Sequence, residues 1–336
     1  LSHVAGDDDI VARLGGDEFA ICMTDCGDRD AFACLAQAVL AELRQPFEIL
    51  GTTVHVGGSI GISVCSSAAS DRVELLRKAD IAILCLPDDA AREAVALASD
   101  AGTRFVDAST AHRTAEGWVY GFAEMDKDQA GKIAKAQFVA NPGCWPQGPI
   151  AGLRPLLTAG LIPADFPVTV SGISGYSGGG KQMIADYETQ GDSASEFMPY
   201  GLTLKHKHVP ELKAYAKLAI DPLMQPAVGD FAQGMLTMVP LQLGALPSIP
   251  KGKDLYAAIA DHFASIPDSL VDVAPFEATE RSAAIDPQRH NDTDRMTLFV
   301  CANDDRAQAV LVAVYDNLGK GASGAAVQNL NLMLRG

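Results

Sequence analysis

The chain has 336 residues, 31 glycines and a formal charge of −16, which leaves room for two or three cored domains and favours an α/β protein with closely packed helices. Its acidic balance excludes binding nucleic acid through a broad basic surface. Seven cysteines (22, 26, 34, 65, 85, 144 and 301) form no tight CxxC pair, which suits a reducing, cytoplasmic setting, and the absence of a long apolar run predicts neither a leader nor a membrane span.

Residues 10–14 and 19–23 are apolar runs flanking Gly15-Gly16-Asp17-Glu18, which predicts a hairpin with a tight glycine turn open to a ligand. Residues 28–45 have helical spacing, with Phe32, Leu35, Val39, Leu40 and Leu43 near one stripe. Residues 54–64 read as an apolar strand with close contacts at Gly57, Gly58 and Gly61, and 71–79 as a helix. The chain begins with Leu1, so it reads as trimmed, with a lost targeting segment left open.

Residues 81–86 are continuously apolar and end at Pro87-Asp88-Asp89, predicting a buried parallel strand and then a capped helix over 88–98. Residues 104–107 form the next strand, ending at Ala108-Ser109-Thr110-Ala111-His112-Arg113, the end of such a sheet where ligands bind. Residues 138–140 are another short strand leading into Asn141-Pro142-Gly143-Cys144, and helical spacing resumes in Ile150, Leu153, Leu156, Leu157 and Leu161. Cys144 thus falls near a helix start, where unpaired amides favour a thiolate and can steady an oxyanion. An arbitrary cysteine is more often buried and inert. The Asn-Pro-Gly before this one, and His206-Lys207-His208-Val209-Pro210-Glu211 after it, point instead to covalent catalysis.

Residues 165–300 are expected to hold a second, α+β domain, with strands at 168–172, 297–301 and 309–315 and a further apolar run at 236–241. Met235, Met238 and Met296 read as core filler. Gly175, Gly178, Gly179 and Gly180 are too dense for a regular helix or strand, predicting a hinge or a ligand loop.

The string Arg13-Leu14-Gly15-Gly16-Asp17-Glu18-Phe19-Ala20 resembles the signature hairpin of the diguanylate cyclases, the GGDEF family. Residues 55–63 and 75–82 resemble that family's later strand and helix. The resemblance implies glycines approaching a guanine nucleotide and Glu18 helping to hold Mg²⁺. The earlier metal-binding aspartate has no counterpart here, and Gly6 stands where the inhibitory-site arginine would fall, so cyclase activity is not expected.

Residues 79–336 resemble N-acetyl-gamma-glutamyl-phosphate reductase of the shorter bacterial type, related to aspartate-semialdehyde dehydrogenase. The matching strings include residues 79–91, 107–114 and 141–146, then 172–181, 200–208 and 316–328. The implied fold class is α/β plus α+β: an incomplete Rossmann-like nucleotide domain (81–143), a second α+β catalytic/dimerisation domain (144–315) and a C-terminal helix returning to the nucleotide domain (316–336). A partial GGDEF α/β fragment (1–80) precedes them.

The implied activity is NADPH-dependent reduction of an acyl phosphate in arginine biosynthesis. Cys144 would attack the acyl carbon and His208 would handle the proton, with His206 as neighbour or alternative. Two residues apart, the histidines would share one face of a strand, so spacing does not choose between them. The resemblance puts Glu211 beside the histidines in the substrate region, and Arg113 is the candidate for the substrate carboxylate. Ser109, Ser177, Gly178, Gly179 and Lys181 would line the NADP(H) site, and Asn317 would bind the nicotinamide carboxamide. No metal is implied. The expected partners are a small-molecule acyl phosphate and a second copy of the chain through the second domain, with no nucleic acid and no membrane.

Residues 79–83 fit both families. The Gly-x-x-Gly-x-x-Gly turn that receives a dinucleotide pyrophosphate does not occur before them, and Gly57-Gly58-Ser59-Ile60-Gly61 belongs to the cyclase-like strand. Two readings follow: a reductase with impaired cofactor binding, or a non-catalytic chimeric, nucleotide-sensing or scaffold protein.

Overall fold

The computed structural model describes residues 5, 10–15, 18–23, 29–43, 47–49, 52–54, 72–279 and 284–336. The chain divides into two units, Leu1–Ala69 and Ser70–Gly336. In the first, β1 (Ile10–Gly15) and β2 (Glu18–Cys22) form the expected antiparallel hairpin, with Ile10 opposite Cys22 and Arg13 opposite Phe19. α1 (Arg29–Leu43) buries Val39 of the expected stripe, and β3 (Phe47–Ile49) and β4 (Thr52–Val54) form a second hairpin. Gly16 and Asp17 of the turn, and all but Val54 of the strand expected at 54–64, lie outside the described residues.

The second unit opens with α2 (Arg72–Lys78), β5 (Ile81–Leu84), α3 (Asp88–Ala98), β6 (Arg104–Asp107), β7 (Val119–Tyr120), α4 (Gln129–Lys135) and β8 (Phe138–Ala140). The four strands make one parallel sheet in the order β5-β6-β8-β7. Its first strand stops at Leu84, two residues short of the apolar run, leaving Cys85 and Leu86 exposed. α3 spans the expected residues without a side-chain cap: Pro87 precedes it, and the Asp88 carboxylate accepts from Thr110 N and Oγ1 at 3.0 and 2.6 Å instead. The boundary also lies earlier than the expected break near residue 80. Leu76 of α2 packs with Ala82, Leu84 and Phe105 of the sheet and with Ala91 and Ala98 of α3, which draws α2 into the second unit.

Next come α5 (Cys144–Thr158), β9 (Thr169–Gly175), α6 (Gly180–Gln190), β10 (Phe197–Pro199), α7 (Val209–Ala216), β11 (Leu223–Gly229) and β12 (Met235–Gln242). The chain finishes with α8 (Gly252–Ala264), β13 (Val271–Val273), α9 (Phe276–Thr279), β14 (Met296–Asn303), β15 (Gln308–Tyr315) and α10 (Gly324–Arg335). Strands β9 to β15 form a mixed sheet of seven in the order β10-β11-β9-β12-β15-β14-β13. α5 and α8 cover one face of it through Ile150, Leu153, Leu156, Leu255 and Ile259, which bury the alternating inward residues of β12, β14 and β15. Gly160, with φ +69, ends the α5 segment before Leu161. α10 turns back to the small parallel sheet, where Ala326 and Met333 pack with Ile81, Val106, Ile133 and Val139.

The glycine-dense stretch is more regular than its composition predicts. Gly175 closes β9, residues Tyr176–Gly179 form one 3₁₀ turn, and Gly180, with φ +76, opens α6. The turn donates back to the 231–232 backbone, and that pairing replaces the ladder bonds that the glycines would weaken.

Candidate active site around Cys144

Cys144 is the first residue of α5, at the end of the loop that leaves β8. Its backbone is held from both sides: Gly143 N donates to Glu211 Oε1 at 2.7 Å, and the Cys144 carbonyl accepts from Tyr315 Oη at 2.7 Å. Gly143 has to be glycine. A Cβ there would stand 2.2 Å from His208 Cε1 and 2.7 Å from an Arg113 guanidinium nitrogen, so the missing methyl is the space through which the histidine reaches the cysteine.

His206 and His208 do not share a strand face. They lie in a turn, and His208 is the residue that caps α7, with helix-like φ −89 and ψ −5. The turn separates their roles. His208 is buried and its Nδ1 lies 2.9 Å from Glu211 Oε2, which leaves Nε2 as the ring nitrogen without a protein carboxylate. His206 is half-buried and accepts from His208 N through its own Nδ1 at 3.3 Å, with the rings 5.1 Å apart. Burial, with the adjacent His208 and Lys207 charges, pushes His206 down to about 4. Burial also opposes the charge on His208, but the hydrogen bonds and charges of Cys144 and Glu211 outweigh it and raise its pKa.

Glu211 and Arg113 both reach the site, where protein groups hold them. Glu211 is fully buried: Oε1 accepts from Tyr120 Oη and Gly143 N, and Oε2 faces His208 Nδ1 and an Arg113 nitrogen at 3.3 Å. Burial would raise its carboxyl, yet His208, Arg113 and the Gly143 amide hold it below the usual range. The Arg113 fork is likewise spent on protein acceptors, with Nε donating to Asn141 O at 3.0 Å and the second terminal nitrogen to Ala108 O at 3.0 Å.

The expected cofactor residues divide into separate groups. Asn317, also buried, donates from Nδ2 to Ser177 Oγ at 2.9 Å and accepts from Gly234 N at 2.8 Å. Gly178 lies beside them, where a Cβ would meet Ser174 Oγ at 2.8 Å. Gly179 and Lys181 face outward at the start of α6. Ser109 is turned toward its own strand end, donating to Asp107 Oδ2 at 2.7 Å. Among the described residues, no group of His, Cys, Asp and Glu side chains is placed to hold a metal ion, and no helix is long and apolar enough to cross a membrane.

Residues 144–317 match the family model of the semialdehyde dehydrogenase dimerisation domain, and 52–133 that of the semialdehyde dehydrogenase NAD binding domain. Residues 1–89 match the diguanylate cyclase GGDEF domain. The N-acetyl-gamma-glutamyl-phosphate reductase of Chelativorans sp. (strain BNC1) is 71% identical over 265 residues, covering 79% of this chain and 86% of that protein. The N-acetyl-gamma-glutamyl-phosphate reductase 2 of Nostoc sp. (strain PCC 7120 / SAG 25.82 / UTEX 2576) is 50% identical over 275 residues, with 79% and 85% covered. The chain belongs to the N-acetyl-gamma-glutamyl-phosphate reductase family.

Family membership carries an NAD(P)-binding domain joined to an α+β catalytic and dimerisation domain, here behind a GGDEF-like segment. Aspartate semialdehyde dehydrogenase II from Vibrio cholerae shares the fold, with a TM-score of 0.63 at 15% identity and 87% of each chain covered. In this member of the reductase family, the sequence did not single out three tyrosines around Cys144. Tyr120 donates to Glu211, Tyr215 stacks on Tyr120 at 3.7 Å and donates to Arg113 O, and Tyr315 holds the Cys144 carbonyl. Only Tyr315 carried a usable signal, as the last residue of a strongly apolar strand beside the matched 316–328 string.

Proposed function

We propose that the chain reduces N-acetyl-gamma-glutamyl phosphate to N-acetylglutamate semialdehyde with NADPH, through a thioester on Cys144. The observation that supports this most is His208, held by Glu211 at 2.9 Å and standing against Gly143 beside Cys144, in a protein 71% identical to a reductase of that name. His208 Nε2 takes the thiol proton, and its raised pKa makes it a better acceptor. The Cys144 sulfur bonds to the acyl carbon, the carbon–oxygen bond to phosphate breaks, and phosphate leaves with that electron pair. The Cys144 and Trp145 amides, which have no partner within α5, face the developing oxyanion; Pro146 offers none. Glu211 and Arg113 act as positioning residues that keep His208 on the sulfur side.

The described residues fit the nicotinamide end of NADPH. The side chain of Asn317, held beside Ser177, keeps one Nδ2 hydrogen for a carboxamide, next to the open backbone of Gly178. When bound, NADPH supplies the hydride that converts the thioester to the aldehyde as the carbon–sulfur bond breaks. His208 then returns its proton to the sulfur. Ser109, Gly179 and Lys181 remain candidates for the rest of the dinucleotide, and the cytoplasm and a homo-oligomer through the second domain complete this reading.

The acyl phosphate is unstable, so the test runs backward, from N-acetylglutamate semialdehyde, phosphate and NADP⁺, following NADPH absorbance. Phosphate-dependent formation that disappears in Cys144→Ser supports the reading, and equal rates in both proteins would end it. The match of residues 1–89 to the GGDEF domain favours a second reading, a nucleotide-sensing or scaffold protein without reductase activity. Absence of turnover with guanine-nucleotide binding retained would favour that one.

A further inference from the structure

Glu124 and Lys320 form an ion pair of 2.7 Å away from the reacting atoms, and both side chains are buried, Lys320 completely. Its bonding is complete. The Lys320 ammonium also donates to Gln328 Oε1 at 2.9 Å and lies 5.4 Å over the Phe122 ring, while Glu124 Oε1 accepts from Gln328 Nε2 at 2.8 Å and Leu270 N at 3.2 Å. Apolar residues in the place of such a pair are often as stable, so stability alone is a weak reason for its presence.

The backbone of Lys320 leads to the nucleophile. It lies in the π-helical turn Gly319–Ser323 directly before α10. Its carbonyl accepts from Nε2 of Gln147 at 2.8 Å, and Gln147, itself fully buried, sits one turn beyond Cys144 on α5. Gly321 comes so close that a Cβ on it would stand 3.0 Å from Cys144 Cβ. The Ala322 carbonyl accepts from Asn141 Nδ2 at 3.0 Å. Three consecutive residues of the turn thus grip the segment that carries the cysteine.

We infer that the Glu124–Lys320 pair is a positioning device for the nucleophile: it anchors the turn, and the turn holds Asn141, Cys144 and Gln147 in the register that puts the sulfur beside His208. Neither member touches substrate, and the inference rests on reading Cys144 as the nucleophile. The ionisable groups around Cys144 are His208 from the turn before α7, Tyr200 from beyond β10 and Tyr315 from β15, with His206, Glu211 from α7 and Arg113 from the loop after β6 next to His208. All of them stay in place in the variants below.

The test compares the full-length parent with the double variant Glu124→Gln/Lys320→Met, which removes both charges together, and with Gln147→Met, which keeps the pair and removes the hydrogen bond from α5 to the Lys320 carbonyl. The readout is the pH–rate profile of iodoacetamide labelling, mapped by mass to Cys144 and Cys301, with circular dichroism melts reporting the fold. For both variants the expected result is a native-like melt with Cys144 labelling at pH 7 slowed about fivefold or more. The Cys144 profile moves by about half a pH unit or more, and the Cys301 profile stays unchanged. A folded variant of either kind whose Cys144 profile overlays the parent's would overturn the inference. A parent in which Cys301 labels before Cys144 would instead count against the nucleophile reading, while the parent-to-variant change at Cys144 still decides the positioning role.

Discussion

Cys144 and His208 meet across a position with no side chain, so the smallest change at residue 143 acts on both. Gly143→Ala puts a methyl where His208 Cε1 and Nδ1 already stand, at 2.2 and 2.4 Å, and the ring has to retreat. A misplacement of about 1 Å in a catalytic pair costs on the order of a hundredfold in turnover, so the variant is expected to lose that much kcat/KM in the reverse assay. Its melting temperature should fall only by what the displaced His208–Glu211 contact contributes, because the clash falls on side chains and not on the sheet. At the same scale, His208 and Glu211 give the fold a pH signature. The raised histidine contributes stability that is complete below the ordinary value of about 6.5 and is lost as pH rises through its folded value. The lowered Glu211 contributes stability above its ordinary value, lost as pH falls through the folded one. Melts of His208→Gln against the parent should therefore show their widest gap below neutrality and converge in mild alkali; a gap that widens with pH would contradict the pairing. The cysteine and the histidine pair were legible because Asn-Pro-Gly-Cys and the spaced histidines are local strings. The choice between His206 and His208 was not, since it depends on a turn that only the packing of α7 defines.

α5 brings the cysteine to the sheet by lying unusually close to it. A Cβ at Gly148 would meet Thr237 Oγ1 at 2.4 Å and Ala313 Cβ at 2.7 Å, so β12 and β15 occupy the space that a side chain would take. Gly148→Ala should overpack this contact and lower stability by about 1–3 kcal/mol, read as a lower denaturant midpoint with an unchanged slope. β12, β14 and β15 were readable because β-branched and other apolar residues run through them with few interruptions. β7 has two residues, too few to show a period, and in α4 Ile133 is the one large apolar residue that is buried, so neither carried a pattern. The dense glycines misled for a related reason. Composition registers the absence of side chains, but not the 231–232 backbone that pairs with the turn.

Over the whole chain, the semialdehyde dehydrogenase NAD binding domain match and the GGDEF match overlap between residues 52 and 89. The sequence placed the crossing at 79–83, where α2 ends and β5 begins, and only the packing of Leu76 under α3 shows that the helix before it also serves the second unit. No pyrophosphate-binding glycine turn precedes β5 in the sequence. Two missing charge-assisted backbone bonds at about 1.5–3 kcal/mol each amount to a hundredfold or more in affinity, by about 1.4 kcal/mol per decade. Fluorescence titration should accordingly show weak NADPH binding by this chain, and tighter binding together with turnover once residues 1–78 are exchanged for a reductase front half. Family-like affinity in the unaltered chain would show that the dinucleotide is held without that turn.

α10 packs on the small parallel sheet from far along the chain, Ala326 and Met333 lying against Ile81, Val106 and Val139. A ribosome making this protein releases those strands long before it releases their cover. Until α10 has emerged, the parallel sheet presents an apolar face that this helix later covers, so its maturation waits on a segment far along the chain. Stop codons that remove residues 324–336 should yield protein that collects in the insoluble fraction, and supplying the missing helix as a separate peptide during refolding should return part of it to solution.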